Sequence, residues 1–478
     1  MQRVAIRAQR ALAPVAVAVV LAAAPAPTLP RAEDLASSPA DRRDVSLTIY
    51  NNDLSLVRER RVVPVRRGVF HLRYEGVTTG IDPTTVHLQA RGAGRLGIVE
   101  QNYEYDLISR AKLMEKYVGR EVGYRLPDGA MGRARLLAAN DGGYVYDMGG
   151  KIVFELPGTI VLDAVPDELM ARPTLVWMLE GDRDGSQEVE TAYLSSGLSW
   201  RADYVLLLEE DEKRAGLTGW VTLDNRSGAS FQNAQLKLVA GEVNRVRDEI
   251  RRMKGVSFAT NAAMEVRPQF EERGFFEYHL YTLGRRTDVK DNEKKQILFF
   301  DAGNVAVDKE YTFRAEPNYF IQGFRLPEGA ERVDVTLRFK NSKENGLGVP
   351  VPEGILRAYK KDHDGAPQFL GENRVRHTPK DETLEFAVGR AFDIVGEHVQ
   401  TDFKRLGERV VEMGYEVKLR NHKTEAVNVR VIENFNGDWT IVESSNPHKK
   451  ENARTASFVI AVKPDAEAVL TYRVRITM

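Results

Sequence analysis

The chain has 478 residues and no cysteine. Disulfides, thiolate metal sites, cysteine nucleophiles and a lipid-modified N-terminal cysteine are therefore excluded. The histidines at 71, 87, 279, 398, 422 and 448 show neither H-x-H nor H-E-x-x-H spacing, so zinc has no support in them. A G-x-S-x-G elbow and a phosphate-binding P-loop are also missing. No sign of charge dominates, with 68 Lys and Arg against 69 Asp and Glu. Long apolar runs are absent beyond the first residues, and no sustained heptad or helical periodicity appears.

The one apolar run lies at the start, from Ala11 to Ala24, behind Arg3, Arg7 and Arg10. A basic start, a short uncharged stretch and small residues from Ala22 to Ala32 follow the plan of a secretory signal peptide. The run is shorter than the roughly 20 residues a spanning helix needs, and Pro14 breaks it. Removal is expected between Ala22 and Ala32, leaving no transmembrane segment. Loss of the four arginines in residues 1–32 leaves a formal charge of −5, which argues against nucleic acid as a partner.

From Val45 onward apolar residues recur at period two, as in Val45, Leu47 and Ile49, which buries one face of a strand. Turn clusters such as Asn51-Asn52-Asp53 and Asp82-Pro83 separate these runs. Leu107, Ala111, Met114 and Val118 space as a short helix. Five tight segments follow, at 120–126, 133–139, 142–148, 151–155 and 159–163, which suits a small SH3-like barrel. Late strands are expected at 331–340, 354–361, 368–377, 382–390, 409–420, 425–434 and 466–477. The predicted fold is all-β, with several antiparallel β-sandwich (Ig-like) domains in series, a small SH3-like barrel insertion and few short helices. The expected division is a signal peptide at 1–32, an N-terminal β-domain at 33–100, the barrel at 101–166 and a β-sandwich region at 167–241. A charged helical or mobile linker at 242–274 and C-terminal β-sandwich domains at 275–478 complete it.

Residues 191–241, with TAYLSSGLSWRADYVLLL and LTGWVTLDNRSGASFQNAQLKLVAG, resemble the bacterial family called domain of unknown function 4139. The likeness continues through LGVPVPEGILRAYKKDHDGAPQFLGENRVRHTPKDETLEFAVGRAFDIV at 347–395 and the closing strands. The opening LTIYNNDLSLVRERRVVPV is similar to the N-terminal partner domain of the same proteins. Relatives named for mucoidy inhibition carry a coiled coil where this chain has the expected barrel. The resemblance implies envelope localisation and a β-sandwich architecture, and it carries no chemistry.

Several motifs invite a functional reading. Gly92-Ala93-Gly94-Arg95-Leu96-Gly97 has dinucleotide-site spacing, but strand residues follow where a helix is required, so a hairpin turn is expected. Asp362 and Asp364 precede Gly365 as in a calcium loop, yet the twelfth position is Asn373 in place of a bidentate Glu, and a hairpin turn is again expected. Glu372, His377, Asp381 and Arg390, with Arg374, Glu382 and Asp393, form the one cluster suited to acid–base chemistry on a glycoside, but Arg374 and Arg390 offer simple ion-pair partners and ordinary surface pairing is expected. Trp200, Trp220 and Trp439 could stack on sugar rings, although isolated strand tryptophans are more often core. Asn225-Arg226-Ser227 has the form of a glycosylation acceptor.

No cofactor is expected. The leading expectation is a non-enzymatic exported protein, periplasmic or in the cell envelope, binding or scaffolding an envelope protein or cell-surface polymer. The alternative is a glycan-active hydrolase using paired carboxylates near residues 372–393.

Overall fold

The computed structural model describes residues 35–140, 142–166, 168–241, 269–275, 278–314 and 331–477. The expected signal peptide and residues 242–268 of the expected charged linker lie outside them. Among the described residues the fold is all-β, with a single short α-helix and mostly antiparallel sheets. Period-two burial is visible along whole strands: in Val410–Asn421, six alternate positions from Val411 to Asn421 face the core. No helix among the described residues is long and apolar enough to cross a membrane.

Three hydrophobic cores organise the molecule. The largest gathers Val45 to Ile81, Leu175 to Ala240, Phe270 to Val307 and Leu337 to Phe386 between a four-, an eight- and a five-stranded sheet. Segments the sequence separates into N-terminal, central and C-terminal regions thus bury one another. The second core, from Tyr311 to Ile476, lies within a nine-stranded sheet. The third belongs to residues 114–162.

The two larger cores share strands. Leu337 and Phe339 on strand Glu331–Lys340 enter the first core, and Val333 enters the second. Strand Thr383–Arg405 does the same, with Leu384 and Phe386 in the first and Ile394 in the second. Between them the register shifts twice, at Arg332/Asp334 and at Val335/Thr336. Each bulge breaks the period of two and re-aims the side chains. For that reason the expected strand at 382–390 ends fifteen residues before the real one at Arg405.

A buried asparagine closes the arch in each large sandwich. Asn225 Nδ2 donates to the carbonyls of Ala229 (2.9 Å) and Lys290 (2.8 Å), and its Oδ1 accepts from Ser227 N and Oγ. Asn421 repeats the pattern, donating to Glu425 O (2.8 Å) and Lys463 O (3.1 Å) and accepting from Lys423 N (3.0 Å). Each satisfies turn carbonyls that burial has taken from water. The glycosylation reading of Asn225 fails here, because the side chain is fully buried and its amide is fully engaged.

The small module follows the expected segments closely. Helix Arg110–Lys116 is capped by Ser109, whose hydroxyl accepts from Lys112 N at 3.2 Å. Strands Glu121–Arg125, Met131–Asn140, Gly143–Met148 and Lys151–Val153 form a meander, and Thr159–Val161 returns to pair with Glu121–Arg125. The sheet stays open instead of closing into a barrel. Lys151–Val153 pairs only with Gly143–Met148, and Thr159–Val161 only with Glu121–Arg125. Three-residue strands joined by Phe154–Gly158 are too short to meet across the gap. The end of the expected linker also differs: Phe270–Phe275 is a strand paired with Tyr278–Leu283, anchored by fully buried Phe270.

Candidate functional site

The open side of the small module forms a groove of about 1120 Å³. One wall is the helix and its approach, with Ile108, Arg110 and Leu113; the other is Phe154 to Leu156, Gly158 to Ile160 and Leu162. Half-buried Tyr144 lies on the floor above Tyr146, which is buried in the module core, with ring centroids 6.4 Å apart and planes at 60°. Alternation along Gly143–Met148 sets both rings on the inner face. Phe154 is 75% exposed and Ile108 is 42% exposed.

The Arg110 guanidinium lies 6.0 Å from the Tyr144 ring centroid. Burial and the neighbouring Tyr144 push the Tyr146 hydroxyl up, while the Arg110 cation pulls against them. No ion pair engages Arg110 among the described residues. Gly158 holds the far wall close to the sheet: a Cβ there would stand 2.1 Å from the Arg125 carbonyl oxygen. These groove residues escaped the sequence reading because Phe154 looked like a strand residue within 151–155. The signal was there in Tyr144-x-Tyr146 and Phe154, set among glycine-rich turns.

Two other cavities are less suited to a ligand. The first, about 500 Å³, is lined by Asp44, Arg58, Arg60, Arg91, Glu188 and Glu190. Its charges largely neutralise one another through Arg60–Asp44 (3.3 Å), Arg60–Glu188 (3.1 Å) and Arg91–Glu190 (2.9 Å). The second, about 140 Å³, is an apolar recess beside Phe270, Tyr281 and Phe299 in the main core.

The residues named from sequence take separate local partners. Glu372 pairs with Arg357 across the strand pair at 3.1 Å. His377 Nδ1 accepts from the Glu353 backbone N–H at 3.1 Å. Asp381 occupies a left-handed turn, φ 66°, 3.8 Å from Lys380 Nζ. Arg390 reaches toward Asp334 at 3.9 Å. None of the three cavities described is lined by these four residues. Asp362 and Asp364 form the hairpin turn: Asp362 N donates to Ala366 O, and Asp364 Oδ1 accepts from Ala366 N. No cluster of three or more metal-ligating residues occurs among the described residues.

Gly92 to Arg95 departs from its expected hairpin. It carries the chain from strand His87–Arg91 in the eight-stranded sheet to Leu96–Glu104 in the four-stranded one, and a strand follows it. Trp200 and Trp439 are core residues, with indole N–H groups donating to Val239 O and Ala453 O; Trp220 is half-buried.

A buried polar group that sequence reading passed over lies in the second core. Glu433 Oε1 stands 3.5 Å from His398 Nε2, which is 3.4 Å from the Tyr472 hydroxyl. Burial pushes the Glu433 carboxyl up to about 8, against a hydrogen bond from Tyr472, and burial lowers His398 to about 4. Both groups are therefore neutral near pH 7. None of the three cavities described above is lined by either residue.

No family model matches this chain, and no curated protein is significantly similar to it.

Proposed function

We propose that this is an exported cell-envelope protein that works by binding and not by catalysis, with the groove of the small module as its binding site. The groove carries the reading: it is the largest of the cavities described, its walls mix apolar and aromatic side chains with Arg110 and Glu155, and Phe154 stands exposed on its rim. The basic and apolar N-terminus and the resemblance to the envelope family support export. The local ion pairs of Glu372, Asp381 and Arg390 speak against a hydrolase, which needs two carboxyl groups flanking one bond.

The test is complementation of a deletion strain scored by detergent sensitivity, with fractionation of the cells. The wild-type chain should restore resistance and appear in the periplasmic or envelope fraction. A Phe154→Asp variant should be exported and folded yet fail to restore it, whereas Glu372→Gln with Asp381→Asn should restore it fully. Full rescue by Phe154→Asp, failure of the carboxylate variant, or a cytoplasmic location would overturn the reading.

A further inference from the structure

We infer that the groove takes an extended segment of a partner protein that adds to the open sheet as a β-strand of alternating apolar and polar residues; this rests on the groove being the binding site. The unclosed sheet decides the shape of the occupant. Thr159–Val161 is paired only with Glu121–Arg125, so its other side offers backbone groups with no strand beside them. Lys151–Val153 covers strand Gly143–Met148 only at Tyr146, Asp147 and Met148, which leaves residues 143–145 uncovered on that side. Thr159 and Ile160 from the first stretch, and Gly143 and Tyr144 from the second, line the groove. Lys151, Ile152 and Val153 do not line it, so their free side is not the one an occupant meets. An unpaired strand side is a template for another chain, and main-chain hydrogen bonds hold a strand added to it.

Alternation decides the side chains. Ile160 and Leu162 pack against the module core, while Thr159 between Gly158 and Ile160 is exposed. A strand laid beside Thr159–Val161 keeps this period, so every second residue faces inward next to Ile160, in a groove that Leu113 lines from the helix wall. Those positions suit valine, isoleucine or leucine, and the residues between them face water. A sugar polymer offers neither the period nor a peptide backbone.

Charge decides the direction. Arg110 stands on the helix wall and Glu155 on the opposite one, both exposed and neither in an ion pair among the described residues. An acidic residue of the occupant beside Arg110 and a basic one beside Glu155 complete charge-assisted pairs at both walls. The reversed direction sets like charges together.

Titration calorimetry of the full exported chain tests this with five probes. The first is a nine-residue peptide alternating valine with threonine, with a glutamate near one end and a lysine near the other. The others are the same residues with the valines made consecutive, the first peptide with its backbone N-methylated, a version with glutamate and lysine exchanged, and an N-acetylglucosamine tetramer. The alternating peptide should bind at least ten-fold more tightly than the consecutive and N-methylated versions. Phe154→Ala should weaken it at least ten-fold, and Arg110→Glu with Glu155→Lys should shift the preference to the exchanged peptide. All three changed side chains are exposed, so the fold should survive. A loss of less than ten-fold on N-methylation or on grouping the valines, an unshifted charge preference, or no binding of any peptide would overturn the inference. If the N-methylated peptide or the sugar tetramer binds as well as the alternating peptide and Phe154→Ala weakens it, the groove remains the binding site and the strand is wrong. If no probe responds to Phe154→Ala, the groove itself fails as the site.

Discussion

Two buried polar groups show how much a residue's meaning depends on its neighbours. Glu59 lies in Arg58-Glu59-Arg60-Arg61, a stretch that reads as solvated surface. In the fold Glu59 is buried between Arg42 (2.5 Å) and Arg61 (2.8 Å), and the Arg61 guanidinium lies 3.8 Å from the Tyr74 ring centroid. Burial works to raise its pKa, but Arg61 and Arg42 hold it below the usual value. Glu433 is the opposite case, since only a tyrosine and a neutral imidazole face it, and its acid form is the stable one. Its folded pKa near 8, against an ordinary 4.5, means that its contribution is present below pH 4.5 and lost as pH rises toward 8. His398, lowered from 6.5 to about 4, contributes above pH 6.5 and loses that contribution as pH falls toward 4. Between pH 4.5 and 6.5 the two slopes cancel. Above pH 6.5 Glu433 is the member of this pair still titrating, so its contribution should fall by about 2 kcal/mol by pH 8. Urea unfolding across pH 6.5 to 8.5 should show this fall in the wild type and lose most of it in Glu433→Gln. An unchanged slope in the variant would assign the fall to other groups.

At the scale of elements, the small module was the most legible part. Its five segments, its turns and its helix follow from local periodicity and from glycines that only local geometry requires. The groove was not legible, because it exists only where five strands fail to close. Gly158 shows the reason: its need for hydrogen in place of a side chain comes from the Arg125 carbonyl, more than thirty residues away in sequence. Gly158→Ala must push Phe154 to Gly158 outward, since backbone at 2.1 Å cannot yield. The variant should weaken any groove ligand more than ten-fold while leaving the large sandwiches intact. Calorimetry of binding, with tryptophan emission as the fold control, checks this, since all four tryptophans lie outside the module. Binding within two-fold of wild type would show that the wall does not shape the site.

Across the whole molecule, the two large sandwiches are joined by strands and not by a linker. Glu331–Lys340 and Thr383–Arg405 run through both cores as one antiparallel ribbon. Damage in one core should therefore be felt in the other. Phe386→Ala removes a fully buried ring from the first core, a loss of about 3–5 kcal/mol for this type of change. Trp439 is the sole tryptophan of the second core, so its emission reports that sandwich once Trp177, Trp200 and Trp220 are replaced by Phe. In that background Phe386→Ala should lower the Trp439 unfolding midpoint along with the far-ultraviolet transition. A Trp439 midpoint that stays in place would show the sandwiches to be independent. The all-β class, most strand positions and the turns were determined by the sequence alone, because alternation and turn chemistry act over a few residues. The tertiary structure decided which strands share a core, where the bulges turn one strand from one core to the next, and that Tyr144, Tyr146, Phe154 and Arg110 line one groove. Those outcomes depend on contacts between residues far apart in the chain, which no local pattern records.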